Sequence, residues 1–260
     1  MPFVETEAAR FYYEETGEGT PLVFLHGLGA SIQDWECQLP VFSRSFRCIT
    51  VDLRGYGRSG RGTGPLSVER FAADVWSVLG KLDAARYCLV GHSMGGAVAL
   101  QLALDHPQAL IKLVIANSVP TFKPENLRQH FEIWYRLIVM SLMGPVRLAR
   151  IGAQRMFPDP DQVELREKNA ARGARNSGKV YIESLRALTR WSVLDRLGEL
   201  KQPVLILAAE HDYFTHDEML LFAHSLPKGR FHIFPGTHHG LPMEAADAFN
   251  KVVLKFLDRA

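Results

Sequence analysis

The 260-residue sequence predicts an α/β fold, with a mostly parallel central sheet flanked by helices and an inserted helical cap. Short apolar runs alternate with longer helical patterns, which is typical of strands joined by crossover helices. The runs are rich in Val, Ile and Leu without strict alternation, as expected of strands that are covered on both faces. This alternation of strand and helix patterns stops between residues 119 and 196, where only helical patterns are found.

Six apolar runs are expected to form the parallel strands, at residues 21–26, 47–52, 87–91, 112–117, 203–209 and 230–234. Residues 11–15, followed by Gly17-Glu18-Gly19, predict an edge strand that ends in a tight turn. Residues 241–257 place apolar side chains on one helical face. We therefore expect a closing helix that packs on the sheet.

Residues 119–196 are predicted to be a helical cap, and residues 1–118 and 197–260 a single core domain. The helical patterns of this segment are separated by Gly144-Pro145 and by other Gly- and Pro-containing breaks. Its large apolar side chains include Phe131, Trp134 and Met143, which are candidates to line a substrate pocket. Packing inside the cap is the alternative role for such side chains.

Composition excludes several classes of partner. The formal charge is +2, from 30 basic and 28 acidic residues, and no basic stripe for nucleic acid is present. No apolar run approaches the ~18 residues of a membrane span, and the N-terminal residues lack the pattern of a signal peptide. The three cysteines match no zinc or redox spacing. We expect a cytoplasmic protein with no metal, no membrane contact and no obligatory protein partner.

The segment Gly91-His92-Ser93-Met94-Gly95 fits the pattern G-x-S-x-G between a predicted strand and a helix of small and apolar residues. A serine at such a sharp turn exposes its hydroxyl at the edge of the sheet, beside the positive end of the helix dipole. This context indicates that Ser93 is a nucleophile. The pattern G-x-G-x-x-G at residues 55–60 is instead a turn, because no helix opens there to bind a dinucleotide.

A serine nucleophile needs a base, and the base needs an orienting acid. Asp212 follows the strand predicted at 203–209, and Glu210 is the alternative acid. His238 and His239 follow the strand predicted at 230–234. Because parallel strands end at one edge of the sheet, we expect Ser93, Asp212 and one of the two histidines to meet there.

An oxyanion formed at Ser93 needs two preorganised donors. The backbone N–H of Met94 is one, as the residue after the nucleophile. The second is expected from the loop His26-Gly27-Leu28-Gly29, and Leu28 is our choice because the flanking glycines let the loop turn back. His26 is expected to hold this loop and not to act in catalysis. This chemistry requires no cofactor.

Together these segments resemble the α/β-hydrolase superfamily over nearly the whole chain. The resemblance implies a catalytic set of Ser93, Asp212 and His239, with a cap between the sixth and seventh strands. In the family's pattern the catalytic histidine stands five residues before an acidic position, here Glu244. The matching segments, in their usual order, are His26-Gly27, Asp52-Leu53-Arg54-Gly55-Tyr56-Gly57-Arg58-Ser59, Gly91-His92-Ser93-Met94-Gly95-Gly96, Glu210-His211-Asp212 and His239.

One position departs from the family, since His238 stands where a glycine usually precedes the catalytic histidine. The segment Asp212-Tyr213-Phe214 is similar to bacterial esterases and enol-lactonase-like members. Ser93 argues against dehalogenases and epoxide hydrolases, which carry Asp as nucleophile. The resemblance therefore implies hydrolysis of small-to-medium, partly apolar esters or lactones. Hydrolysis of C–C bonds, perhydrolysis and a slow-turnover ligand sensor are the alternatives.

Overall fold

The computed structural model describes residues 2–258 and contains an eight-stranded sheet in the order β1-β2-β4-β3-β5-β6-β7-β8. Strands β1 and β2 are antiparallel to their neighbours, and β3 to β8 run parallel. The strands β1 to β8 are, in order, Phe3–Glu5, Arg10–Thr16, Thr20–Leu25, Phe46–Val51, Tyr87–His92, Leu110–Ala116, Val204–Ala209 and Gly229–Phe234.

The predicted fold class is confirmed, and each predicted strand lies within two residues of an observed one. The first strand was not predicted. β1 has three residues and pairs with β2 through Phe3 and Tyr12. A segment this short shows no alternation of apolar and polar residues, so its pairing depends on β2 being in place.

Nine α-helices accompany the sheet within residues 2–258. The predicted closing helix at 241–257 is two helices, because Ala245 takes non-helical angles of φ −122° and ψ 46°. The chain therefore changes direction at Ala245, between the two helices. The helices α1 to α9 are, in order, Leu39–Phe42, Val68–Lys81, Met94–Asp105, Leu127–Met156, Val163–Gly173, Gly178–Leu188, His216–His224, Leu241–Glu244 and Ala246–Leu257.

Helices cover both faces of the sheet. Successive strand residues point to opposite faces, so Val23 and Leu25 join one cluster of buried residues and Leu22 and Phe24 join the other. The first cluster includes α2 and α3, and the second includes α9. The parallel strands thus end at one edge between two helical layers, where loops carry the candidate residues.

Helices α4 to α6 lie between β6 and β7 in the chain. A bridge between Thr121 and Ser192 closes the base of this segment. Helix α4 is kinked at Gly144, whose φ of 73° and ψ of −178° suit glycine, and Pro145 follows. The segment has a small cluster of buried residues of its own, which includes Met140 and Tyr181. The division of the chain into core and cap at residues 119 and 196 stays a prediction.

Two features of the structure bear on the expectations about a membrane span and about the cysteines. Within residues 2–258, no helix has both the length and the apolar character needed to cross a bilayer. The cysteines are free, and Cys48 and Cys88 are buried. Burial raises the pKa of the Cys48 thiol to about 12 and that of Cys88 to about 11, so both thiols stay protonated and unreactive.

Candidate active site

Ser93 lies at the turn between β5 and α3. Its backbone has a φ of 53° and a ψ of −120°. Residues other than glycine rarely adopt a positive φ. The Ser93 N–H donates to the carbonyl oxygen of Ala116 at 3.0 Å, which fixes the turn to the neighbouring strand β6. The sheet therefore holds a strained residue at its edge, as functional sites often do.

The glycines on either side of Ser93 are required by space. A Cβ atom on Gly95 would collide with the carbonyl group of Leu25 at the end of β3. A Cβ atom on Gly91 would collide with the carbonyl oxygen of Gly95 across the turn. The sharp turn thus forms only where side chains are absent at both positions, which gives the sequence pattern a steric cause.

A chain of hydrogen bonds joins Ser93, His239 and Asp212. The His239 Nε2 atom lies 3.0 Å from Ser93 Oγ, and His239 Nδ1 lies 2.6 Å from Asp212 Oδ1. The carboxylate only accepts, so Nδ1 carries the proton and Nε2 accepts from the serine hydroxyl. Both ionisable side chains are buried. The imidazole is therefore presented to Ser93 in the tautomer that can accept a proton at Nε2, as predicted for a base.

The Asp212 carboxylate is held at one oxygen. Its Oδ1 atom accepts both from His239 and from the backbone N–H of Tyr213. Its Oδ2 atom is buried and has no hydrogen-bond partner within residues 2–258. Within residues 2–258, the imidazole of His239 is thus the one side chain that donates a hydrogen bond to this carboxylate.

Two further side chains, not predicted from the sequence, fix the backbone of His239. The His92 Nε2–H donates to the His239 carbonyl oxygen at 2.8 Å, and Asn117 Nδ2 donates to the same oxygen at 3.0 Å. The Asn117 Oδ1 atom accepts from the Ala209 N–H at 3.0 Å. Asn117 therefore ties the end of β7, which leads to Asp212, to the loop that carries His239.

His92 makes stability depend on pH. Burial, reinforced by the neighbouring His239, lowers the pKa of His92 from 6.5 to about 3. The unfolded chain therefore binds a proton at His92 below about pH 6.5 that the folded chain does not bind, and the unfolding free energy decreases as the pH is lowered. We expect this slope, about 1.4 kcal/mol per pH unit for one group, to be reduced in His92→Gln. Urea denaturation at pH 7, 6 and 5 measures it, and equal slopes would contradict the prediction.

The adjacent histidine has different partners. His238 Nδ1 lies 2.8 Å from Glu244 Oε1, and the backbone N–H of His238 donates to the other oxygen of Glu244. Gln162 Nε2 also donates to Glu244 Oε1, at 2.8 Å. His238 is therefore engaged with α8 and with the segment after α4, and it does not contact Ser93 or Asp212 through a hydrogen bond.

Glu210, the alternative acid, also has another role. Its Oε2 atom accepts the backbone N–H of Gly236 at 2.7 Å. This bond joins the loop after β7 to the loop after β8. Glu210 thus fixes the backbone of the loop that carries His239, whereas Asp212 contacts the imidazole itself.

The loop after β3 lies against Ser93. A Cβ atom on Gly27 would stand 3.4 Å from the Ser93 Cβ atom. The His26 Nε2 atom accepts the Leu53 N–H at 3.0 Å, which leaves Nδ1–H to donate to the Gly27 carbonyl oxygen at 2.8 Å. Burial lowers the pKa of His26, so the ring stays neutral. The prediction that His26 holds this loop is confirmed.

Asn176, another residue that the sequence did not single out, fixes the same loop from the predicted cap. Its Nδ2 donates to the carbonyl oxygens of Gly29 at 2.7 Å and Ala30 at 3.2 Å. Within residues 2–258, the N–H groups of Leu28 and Met94 have no acceptor. The loop is thus held by its carbonyl groups, and two backbone donors near Ser93 stay available for a ligand.

A family of known fold matches most of the chain. Residues 20–246 match the family model described as alpha/beta hydrolase fold. The chain belongs to this family. The resemblance stated from the motifs is therefore confirmed, and the strand–turn–helix around Ser93 lies inside the matched region.

Curated relatives of this α/β hydrolase act on different bonds. It is 28% identical to a protein assigned as the carbamate hydrolase RutD of Azorhizobium caulinodans, over 98% of each chain. It is 29% identical to the 2-hydroxy-6-oxononadienedioate/2-hydroxy-6-oxononatrienedioate hydrolase of Comamonas testosteroni, over 95% of this chain and 91% of that protein. The relatives thus support a hydrolase without fixing its substrate.

Among solved structures, the enol-lactonase of Burkholderia xenovorans LB400 has a TM-score of 0.91 to this chain. The two share 23% identity, and the alignment covers 99% of this chain and 100% of the lactonase. At this identity the likeness shows the fold.

The predicted pocket residues of this α/β hydrolase are on α4. Phe131, Trp134 and Met143 are between 57% and 63% exposed. The rings of Phe131 and Trp134 lie 6.4 Å apart on that surface. The structure thus brings together the predicted triad but leaves these three side chains facing solvent, and their contact with a substrate stays a prediction.

Asp159, His238 and Glu244 offer ligand atoms within 4.8 Å of one another, which is the spacing of a metal site. Hydrogen bonds account for two of the three members, His238 and Glu244. Both oxygens of Glu244 accept N–H groups, from His238 and from Gln162, so the cluster joins the helical segment to the core. We assign it this structural role.

Proposed function

We propose that this α/β hydrolase cleaves carboxylic esters or lactones, with Ser93 as nucleophile, His239 as general base and Asp212 as the orienting acid. The observation that carries the proposal is the continuous hydrogen-bond chain from Ser93 Oγ through the imidazole to the buried carboxylate. This is the arrangement that turns a weakly nucleophilic hydroxyl into an effective one.

In the first step, His239 Nε2 takes the proton of Ser93 as Oγ attacks the ester carbonyl carbon. The carbonyl oxygen becomes an oxyanion, which the N–H groups of Met94 and Leu28 stabilise. Each such donor contributes about 3–4 kcal/mol to the transition state in comparable sites. Asp212 stabilises the imidazolium that has formed.

In the second step, the tetrahedral intermediate collapses, and His239 gives its proton to the leaving alkoxide. The acyl group stays on Ser93 until a water molecule, deprotonated by His239, attacks it. The second intermediate releases the acid and returns the proton to Ser93. Opening a lactone follows the same steps, with the alkoxide kept in the same molecule.

Hydrolysis of a carbon–carbon bond is the second candidate function. The relative from Comamonas testosteroni, a hydrolase of 2-hydroxy-6-oxo acids, favours it. The same triad and donors serve such a reaction, so the geometry at Ser93 is compatible with both. The two candidates are distinguished by the substrate that is turned over, since an ester releases an alkoxide whereas a C–C bond releases a carbon leaving group.

Turnover of p-nitrophenyl esters with acyl chains from C2 to C12 tests the proposal. We expect sustained release of nitrophenol through many turnovers, because water can complete the cycle at His239. A single burst of one nitrophenol per protein would instead indicate a ligand sensor. Turnover of a 2-hydroxy-6-oxodienoate in the absence of ester turnover would favour the second candidate.

A further inference from the structure

Arg136 is a cation on the inner side of helix α4. Its side chain is 24% exposed, whereas the side chain of Trp134, two residues earlier, faces solvent. A charged side chain is rarely shielded from water unless it has a partner or a ligand. Glu132, one turn earlier on the same helix, is one such partner of Arg136.

Arg136 lies close to the proposed base. Its guanidinium carbon stands 5.2 Å from the centre of the Tyr213 ring, and that ring lies 4.5 Å from the ring of His239. The guanidinium carbon is thus within about 10 Å of the imidazole, the most that these two distances add up to. One tyrosine ring separates the cation from the reacting groups.

The carboxylate that pairs with Arg136 also pairs with a second cation. Glu132 Oε1 accepts from Arg136 Nε at 2.7 Å and from Arg155 Nη1 at 2.6 Å, so two cations share one carboxylate. A guanidinium has five N–H donors, and within residues 2–258 only the Nε–H of Arg136 has an acceptor. The terminal Nη groups are the ones suited to a planar, two-oxygen anion.

We infer that the substrate of this site carries a carboxylate remote from the bond that is cleaved, and that Arg136 binds it. The inference rests on the proposed function. A glutaryl chain spans about 5 Å between its two carboxyl carbons, at roughly 1.2 Å per bond. With hydrogen bonds of about 3 Å at the guanidinium, this length is within the upper limit of about 10 Å between the guanidinium carbon and the imidazole, and the chain would pass beside the Tyr213 ring.

Paired substrates test the inference. The p-nitrophenyl monoester of glutaric acid places a carboxylate on the acyl side, and p-nitrophenyl valerate is its neutral counterpart. Acetylated 4-hydroxybenzoate and phenyl acetate form the pair for the alcohol side. We expect Arg136→Gln to lower kcat/KM about ten- to hundredfold for the charged member of at least one pair, mainly through KM. The neutral members should change less than about threefold.

Arg155→Gln is the matched control, because it removes a second cation that shares Glu132 but is 40% exposed. It should leave the ratio between charged and neutral esters unchanged. Loss of the preference in one pair shows on which side of the scissile bond the carboxylate lies. An equal fall on charged and neutral esters, or no preference for charged esters in the wild type, would overturn the inference.

Binding measurements separate this inference from the proposed function. Isothermal titration of the wild type with glutarate and with neutral glutaramide requires no turnover. Tighter binding of glutarate that disappears in Arg136→Gln supports the anion site even if no ester is hydrolysed. Ester turnover with equal binding of the two compounds would leave the proposed function standing and refute the anion site.

Discussion

Replacing Ser93 by alanine is expected to lower ester hydrolysis by at least about three orders of magnitude and to leave the fold intact. The variant loses the nucleophile but keeps the donors of the loop and of Met94. The Ser93 side chain has one hydrogen bond within residues 2–258, to His239, so its loss removes little that holds the fold. Measurements of kcat/KM and of thermal unfolding test both parts.

Ser118→Ala provides a matched control. Ser118 is a buried serine just beyond β6, near the same edge of the sheet, and its hydroxyl has no partner within residues 2–258. The same loss of one oxygen there should change the rate by a few-fold at most. Labelling with a fluorophosphonate at any residue other than Ser93 would contradict the assignment of the nucleophile.

Strand positions followed from local sequence because buried parallel strands are short runs of branched apolar residues. The meeting of Ser93, Asp212 and His239 followed as well, since each stands just beyond a strand and parallel strands end at one edge. The order of the strands then decides which loops touch. For the loops that carry Ser93, Asp212 and His239, the local sequence pattern and the sheet topology therefore predict the same arrangement.

The supports of the site depend on contacts that no local pattern shows. Asn117 and His92 reach the carbonyl oxygen of His239 from 122 and 147 residues away in the chain. The place of Asn117 just after β6, at the active edge, is the one signal that could have singled it out. His92 occupies the first x of the G-x-S-x-G motif, a position at which the motif specifies no residue type, so the motif did not indicate its role.

The face that α4 turns to the core was not evident from the sequence, because the helix is apolar on both sides. Met140 is buried, whereas Leu142 and Met143 are exposed. Large side chains therefore did not indicate which residues face the site. Arg136 is charged, so the apolar pattern predicts that it faces solvent, yet it packs over Tyr213.

Asp212→Asn is expected to lower kcat by up to about four orders of magnitude. If the amide nitrogen faces His239, it donates to Nδ1, and Nε2 then carries a proton and cannot accept one from Ser93. If the amide oxygen faces His239, the hydrogen bond from Nδ1–H is kept, but its acceptor is neutral. In either orientation the negative charge that stabilises the imidazolium is gone.

Glu210→Gln is the control for this substitution, two residues away and with the same change of charge. The amide can still accept the Gly236 N–H through its oxygen, so the loop that carries His239 should stay in place. We expect kcat to fall by tenfold at most. Steady-state kinetics of both variants on one ester decide the matter. If Glu210→Gln is severely impaired and Asp212→Asn is nearly as active as the wild type, Glu210 is the orienting acid and the 2.6 Å contact of Asp212 with His239 has no catalytic role.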